Sequence, residues 1–276
     1  MLTDLRSSKT LNNGIKMPWF GLGVFKVKDG SQVEKASKWA IEASYRSIDT
    51  AAVYGNEKGV GSGVRDSGIS REEIFVTTKL WNGDQRSGRV EEAFQDSLDR
   101  LGLGYVDLYL IHWPVEGHYK ASWRILETIY ETGRAKAIGV SNFMIHHLQD
   151  LLQNANIVPA VNQIEFHPYL QQPDLVAYCQ EHNIQLEAWS PLMKGQVLKV
   201  PELKQLAKQY GKNPIQITLR WLLQREIIVI PKSTKKKRIQ DNAKVFDFEL
   251  TAADMALIDG LDRAKRVGPD PDNFSF

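Results

Sequence analysis

The sequence predicts an α/β fold, a closed (β/α)8 TIM barrel with a short N-terminal hairpin and an extra C-terminal helix and loop. Short apolar, β-branched runs alternate with segments of helical period along nearly the whole chain, as a parallel sheet wrapped by crossover helices requires. Asp49, Lys79 and His112 close three consecutive strand-like runs, and Tyr54 lies in the loop after the first. A closed parallel barrel brings consecutive strand ends together on one face. The 276 residues also match the roughly 250 typical of such a barrel, so one domain spanning 1–276 is expected.

The elements follow in order. A hairpin is expected around Asn12-Asn13-Gly14, a sequence suited to a tight turn. Strands are expected near 20–24, 46–49, 74–80, 106–112, 136–140, 160–164, 185–189 and 227–230, continuous Val/Ile/Leu-rich runs that suit strands covered on both faces. Helical periodicity covers 32–43, 57–66, 89–101, 121–132, 145–153, 174–182 and 202–210. Gly133 and Gly211 stand where a left-handed residue closes a helix. Pro214 suits the first turn of a helix through Trp221, since its missing N–H would be unpaired there. Ser70 to Glu73 has capping-box spacing ahead of a strand and predicts a single turn. Thr251 to Gly260 reads as a last helix, and the segment from Gly268 to Phe276 has no period and reads as a loop.

Composition excludes several function classes. A net charge of +2, with only Lys235 to Arg238 as a dense basic run, gives no field for nucleic acid. No run approaches the roughly 18 apolar residues that span a bilayer, and Met1 to Ser8 lacks a signal-peptide core. A cytoplasmic protein that neither enters a membrane nor binds nucleic acid is expected. Cys179 is the only cysteine, which forbids an intrachain disulfide, and its helical setting away from any strand end reads as a structural thiol. His118, His146, His147 and His182 fall in loop or helix patterns and His167-Pro168 in a strand-exit turn, so no metal site follows from histidine spacing.

The four polar residues supply what reduction of a carbonyl needs. Hydride delivered to the carbon must be matched by a proton to the oxygen, hence a positioned general acid. Tyr54 is the candidate. An ordinary phenol titrates near 10, and the Lys79 ammonium nearby is expected to lower that value, while Asp49 holds Lys79 in place and charged. His112, neutral and donating, can orient the substrate oxygen. The segments from Ser44 to Glu57, Gly139 to Phe143, Asn162-Gln163 and Ile230 to Ser233 resemble the aldo-keto reductases from about Met17 to Phe248, near the bacterial branch of glyoxal/methylglyoxal and 2,5-diketogluconate reductases. The resemblance implies the same roles for the tetrad.

The cofactor reading needs both sources. Gly59-Val60-Gly61-Ser62-Gly63 imitates a dinucleotide-binding fingerprint but sits inside a helical segment and lacks the third spaced glycine. The segment after the last strand, Ile228 to Asn242, turns from strand to helix where barrels commonly bind phosphate. The resemblance implies that Lys232, Ser233 and Arg238 hold a 2'-phosphate, with Asp241 and Asn242 on the adenine, so NADPH is expected over NADH. It further implies Ser141, Asn142 and Gln163 on the carboxamide, Ser190 and Leu192 on the pyrophosphate, and Trp189 stacked on the nicotinamide, where many relatives carry tyrosine or phenylalanine. Phe25, Trp81 and Trp113 match positions lining the substrate pocket, with His112 among them. The short loop after His112 and the brief tail predict a shallow, open pocket accepting small aldehydes and dicarbonyls in a monomeric enzyme. Two alternatives remain: an NADPH-binding sensor with slow turnover, and a Schiff-base aldolase using Lys79.

Overall fold

Residues 3–276 are described by a computed structural model. Strands β1 (Ser8–Thr10) and β2 (Lys16–Pro18) pair antiparallel as the expected hairpin, and Gly14 in its turn has φ 86°, which only glycine adopts without strain. The barrel then unfolds in sequence: β3 (Leu22–Gly23), α1 (Ser31–Glu42), β4 (Ser47–Asp49), α2 (Glu57–Arg65), β5 (Phe75–Leu80), α3 (Asn82–Ser87), α4 (Val90–Leu101), β6 (Leu108–Ile111) and α5 (Tyr119–Glu131). It continues through β7 (Ile138–Ser141), α6 (Ile145–Leu152), β8 (Val161–Glu165), α7 (Pro173–Glu181), β9 (Gln185–Trp189), α8 (Pro201–Tyr210), α9 (Pro214–Gln224), β10 (Ile228–Val229), α10 (Lys236–Asn242) and α11 (Ala252–Asp259).

Strands β3 to β10 form one eight-stranded sheet in chain order, and every neighbouring pair is parallel. A parallel bridge between Phe20 and Val229 joins its two ends and closes the circle, with Gly21 N–H donating to Val229 O at 2.9 Å and Val229 N–H to Trp19 O at 3.1 Å. Every residue of β5, β6, β7 and β8 is buried. With both faces covered, these strands show no alternation of buried and exposed positions, and their polar members, such as Thr77, Lys79, Asn162 and Gln163, are buried as well.

The helix ends carry the expected chemistry in most places. Asn213 and Gln216 cap α9 reciprocally, and Thr251 and Asp254 do the same for α11, each cap contributing about 1 kcal/mol. Helix α9 runs to Gln224, one turn beyond the expected Trp221. As expected, Arg71–Glu73 makes a single turn, a 3-10 turn closed by backbone Glu73 N–H to Ser70 O, and the Ser70 side chain caps nothing. Such a short segment has too few free amides for a reciprocal cap. Helix α3 was not expected; its six residues offer no full apolar period.

The false glycine fingerprint has a packing role. Gly61 lies in α2 against the end of α4, where a Cβ would fall 1.8 Å from Leu101 O. The glycine lets two helices approach, and no phosphate loop is formed there. Cys179 is buried in α7 beside Asn162, and burial pushes its thiol up to about 12, so the structural reading of this residue holds. No described helix is long and apolar enough to cross a membrane.

Candidate active site

The C-terminal ends of the strands bring the tetrad together. Asp49 ends β4, Lys79 lies in β5, His112 follows β6, and Tyr54 ends a 3-10 turn, Ala52–Tyr54, just after β4. Asn56 holds this turn in place: it accepts from Thr50 Oγ1 at 2.7 Å and donates to the carbonyls of Val24 and Val27 at 3.0 and 2.9 Å. All its partners are buried backbone or hydroxyl groups, so the loop carrying Tyr54 is fixed from below.

Lys79 is fully buried and its Nζ makes three contacts, to Asp49 Oδ1 and Oδ2 at 2.7 Å each and to Thr50 O at 2.8 Å. Burial alone would lower the Lys79 pKa; Asp49, with Tyr54 and Glu187 adding, more than reverses this and raises it. Lys79 therefore stays charged, as expected, and is unsuited to attack a carbonyl. The ammonium lies 5.1 Å from the Tyr54 ring centroid. Tyr54 itself departs from expectation. Burial pushes its phenol up to about 12, and Lys79 lowers it only in part. Desolvation outweighs the ammonium because Asp49 neutralises much of the charge that Tyr54 would feel. The consequence is a phenol that keeps its proton at neutral pH.

His112 is nearly buried, with its ring 5.7 Å from that of Tyr54 and 5.4 Å from Trp81, both edge-on. Burial first and the Lys79 charge second hold its pKa well below the usual value, so the imidazole is neutral. Its Nδ1 is buried with no hydrogen-bond partner among the described residues. The backbone of His112 is fixed by Asn142, whose Nδ2 donates to His112 O at 2.9 Å and to Ser141 Oγ at 3.1 Å, while Asn142 Oδ1 accepts from Trp189 Nε1 at 2.8 Å. Ser141 Oγ donates to Gln163 O at 2.8 Å. Gln163 is the surprise of this layer. Its Nε2 donates to Asp49 Oδ2 at 2.8 Å and to Glu187 Oε2 at 2.6 Å. Glu187 is a buried acid that reading the sequence passed over. An acid standing between the apolar residues Leu186 and Ala188 is the signal that could have found it.

Residues expected at a nucleotide phosphate lie around the start of α10. Ser233 is buried, and its Oγ accepts from Lys235 N–H at 3.2 Å. Lys236 is paired with Glu42, and Lys237 and Lys244 with Asp241. Lys232, Lys235 and Arg238 are exposed and have no carboxylate partner among the described residues. Three free cations beside a hydroxyl are a donor set that fits a phosphate dianion. Asn242 is buried, Asp241 partly exposed, and Ser190, Leu192 and Trp189 form a half-exposed wall after β9, where Ser190 has φ 51°.

The pocket corrects the expectation of an open cleft. Phe25 stands 4.9 Å from Tyr54 and is 54% exposed, and Trp81 and Trp113 line the other side. The C-terminal tail folds over them. Phe276 stacks on Trp81 at 5.8 Å with an interplanar angle of 2° and meets Trp113 edge-on at 5.2 Å, while Phe274 lies 5.1 Å from Trp113. Asn82 and Arg86 of α3 donate to Phe276 O at 3.1 and 3.0 Å. Further back, Glu165 Oε1 accepts from Val267 and Gly268 N–H at 2.6 and 3.1 Å, and Gly268 passes so close to Trp189 that a Cβ would fall 2.3 Å from the indole. An aperiodic tail can still be held through such single contacts.

His146 and His147 of α6 meet Asp272 of the tail, with their Nε2 atoms 3.2 and 3.7 Å from its Oδ1. Sequence spacing gave no metal site, yet the fold assembles three possible ligands here. His147 Nδ1 accepts from Met144 N–H at 3.1 Å, which leaves the proton of the neutral ring on Nε2, facing Asp272. The trio therefore acts as a clasp for the tail.

A closed parallel barrel with Asp, Tyr, Lys and His gathered at its C-terminal rim defines an oxidoreductase-type site. The family model "Aldo/keto reductase family" matches residues 19–263, and the chain belongs to that family. It is 54% identical to glyoxal reductase of Bacillus subtilis over all of both chains, and 47% identical to methylglyoxal reductase DkgA of Escherichia coli over 96% of each. A Bombyx mori aldo-keto reductase solved in complex with NADP superposes with a TM-score of 0.89 at 39% identity, covering 96% of both chains.

Proposed function

We propose that this protein, acting as one domain and as a monomer on free small molecules, reduces aldehydes and ketones with NADPH, with small dicarbonyls such as glyoxal and methylglyoxal among its substrates. The observation that carries the reading is the buried Asp49–Lys79 pair beneath Tyr54, next to a neutral His112. Glyoxal and methylglyoxal reductases of 54% and 47% identity support the substrate class, and the NADP complex of the Bombyx mori relative supports the cofactor.

Lys232, Ser233 and Arg238 would hold the 2'-phosphate, Asp241 and Asn242 the adenine, Ser190 and Leu192 the pyrophosphate, Ser141, Asn142 and Gln163 the carboxamide, and Trp189 the nicotinamide face. Bound NADPH supplies the hydride. Tyr54 gives its proton to the carbonyl oxygen as negative charge develops there, and its high pKa keeps it loaded at neutral pH. Lys79 stabilises the phenolate left behind, and Asp49 keeps Lys79 charged and aimed. His112, neutral, can donate to the substrate oxygen without competing for the proton. Phe25, Trp81, Trp113 and the two tail phenylalanines form an aromatic wall with few hydrogen-bonding groups, which favours breadth over discrimination.

The test is the decay of nicotinamide absorbance with NADPH and NADH across glyoxal, methylglyoxal, aromatic aldehydes, aldoses and keto-acids. Turnover of several small aldehydes with NADPH is expected. Tight NADPH binding with no turnover of any carbonyl would favour a cofactor sensor instead, and a borohydride-trapped substrate adduct on Lys79 would favour an aldolase.

A further inference from the structure

Glu187 has no part in that chemistry, and its place is unusual for an acid. It sits in the middle of β9, fully buried, paired with Gln163 of β8 on one side and Ile228 of β10 on the other. Its Oε2 accepts from Gln163 Nε2 at 2.6 Å, and its Oε1 has no hydrogen-bond partner among the described residues. The same Gln163 nitrogen donates to Asp49 Oδ2 at 2.8 Å, so one amide bridges two carboxyl groups.

The charges around that bridge do not balance if both carboxyls are ionised. Among the described residues Lys79 is the cation that acts on this layer, and its contacts go to both Asp49 oxygens and to Thr50 O. An ionised Glu187 would be a second buried carboxylate with one oxygen unpaired and no cation of its own, which low-dielectric surroundings strongly oppose. A proton on Glu187 leaves the Asp49–Lys79 pair as a neutral unit.

We propose that Glu187 is a positioning residue that carries a proton in the working enzyme, holds Gln163 against Asp49, and on ionising makes Tyr54 a weaker acid. The inference rests on the reductase reading of the same site. The groups facing Glu187 are Asp49 from β4, Lys79 from β5, the Tyr54 phenol from the loop after β4 and the uncharged Gln163 from β8; Ile228 of β10 carries no charge. Burial pushes the Glu187 carboxyl up to about 8, with Asp49 adding to the rise and Gln163 and Lys79 opposing it. As pH rises through that range the proton leaves to solvent, and the new negative charge raises the proton affinity of Tyr54. The rate of proton donation should fall with it.

The test compares pH profiles of kcat and the infrared spectrum of the holoenzyme for the unmodified protein, Glu187→Gln and Glu187→Leu. Glutamine keeps an acceptor for Gln163 but cannot ionise. The unmodified protein should lose rate through a limb near pH 8, and in Glu187→Gln that limb should vanish or move up by at least about one unit. Glu187→Leu, which also removes the acceptor, should lower kcat roughly tenfold at every pH. In the infrared, a carboxylic-acid C=O band should persist above pH 6 in the unmodified protein, bleach near pH 8 and be absent from Glu187→Gln. This band is read without turnover, so it holds even if a variant folds poorly. Identical limbs in the unmodified protein and Glu187→Gln, or no protonated-carboxyl band above pH 6, would overturn the proposal. Failure of the reductase reading shows separately, as no turnover of any carbonyl by the unmodified protein while the infrared band stays in place.

Discussion

Replacing Asp49 with asparagine tests how the buried charge layer is held, and its size follows from the atoms involved. Asp49 accepts three hydrogen bonds, from Lys79 on both oxygens and from Gln163 on Oδ2. Asparagine offers one acceptor oxygen and one donor nitrogen, so whichever way the amide is turned its NH2 faces the Lys79 ammonium or two donors at once. The better orientation loses one bond and the whole counter-charge of a fully buried lysine. Removing one partner of such a pair costs about 3 to 5 kcal/mol. With an m-value of about 3 kcal/mol/M, the urea midpoint should fall by about 1 to 1.7 M, followed by tryptophan fluorescence at pH 7.

The pH dependence has a definite sign. In the native layer Lys79 has its pKa raised, mainly because Asp49 outweighs burial, so the pair stabilises the fold below the ordinary lysine value and that contribution is lost only as pH rises past the folded one. Without Asp49, burial dominates and the folded pKa drops below the unfolded one. The deficit of Asp49→Asn should then be largest at low pH and shrink as pH rises and Lys79 gives up its proton. A midpoint shift under about 0.3 M, or a deficit that grows with pH, would refute the view that Asp49 compensates a buried Lys79 charge.

Further outcomes can be measured separately. Arg238→Ala should weaken NADPH binding about 10- to 100-fold, the value of a charge-assisted bond to phosphate, while NADH affinity changes less than about twofold; equal losses would remove Arg238 from the 2'-phosphate. Phe276→Ala removes three aromatic contacts, to Trp81, Trp113 and Phe274, and should raise KM for aromatic aldehydes by about 5- to 10-fold, with an unchanged KM arguing that the tail does not line the occupied pocket. Cys179, with its thiol pushed up to about 12 by burial, should react with a thiol reagent only after unfolding. Rapid labelling of the native protein would contradict the burial.

The fold was legible because short runs rich in Val, Ile and Leu alternate with segments of helical period along the chain. The tetrad was legible for a related reason: Asp49, Lys79 and His112 interrupt three of those runs at the same end. Three features were not legible. Glu187 lies within its strand instead of at its end, and only the closed barrel sets it beside Gln163 and Asp49. The net rise of the Tyr54 pKa depends on how far Asp49 cancels Lys79, a balance of distances and burial that residue types alone do not give. The cover over the pocket comes from Gly268, Asp272, Phe274 and Phe276 contacting Trp189, the His146–His147 pair, Trp113 and Trp81. These are single long-range contacts from an aperiodic segment, so no pattern in the chain announces them.

The role of Tyr54 is tested most directly by single-turnover reduction of methylglyoxal in Tyr54→Phe, alongside NADPH affinity by fluorescence titration. Loss of the general acid should slow the chemical step by roughly 10²- to 10⁴-fold, while NADPH binds as tightly as before and the urea midpoint scarcely moves. A reduction rate within a few-fold of the unmodified protein, with cofactor binding intact, would contradict Tyr54 as the proton donor.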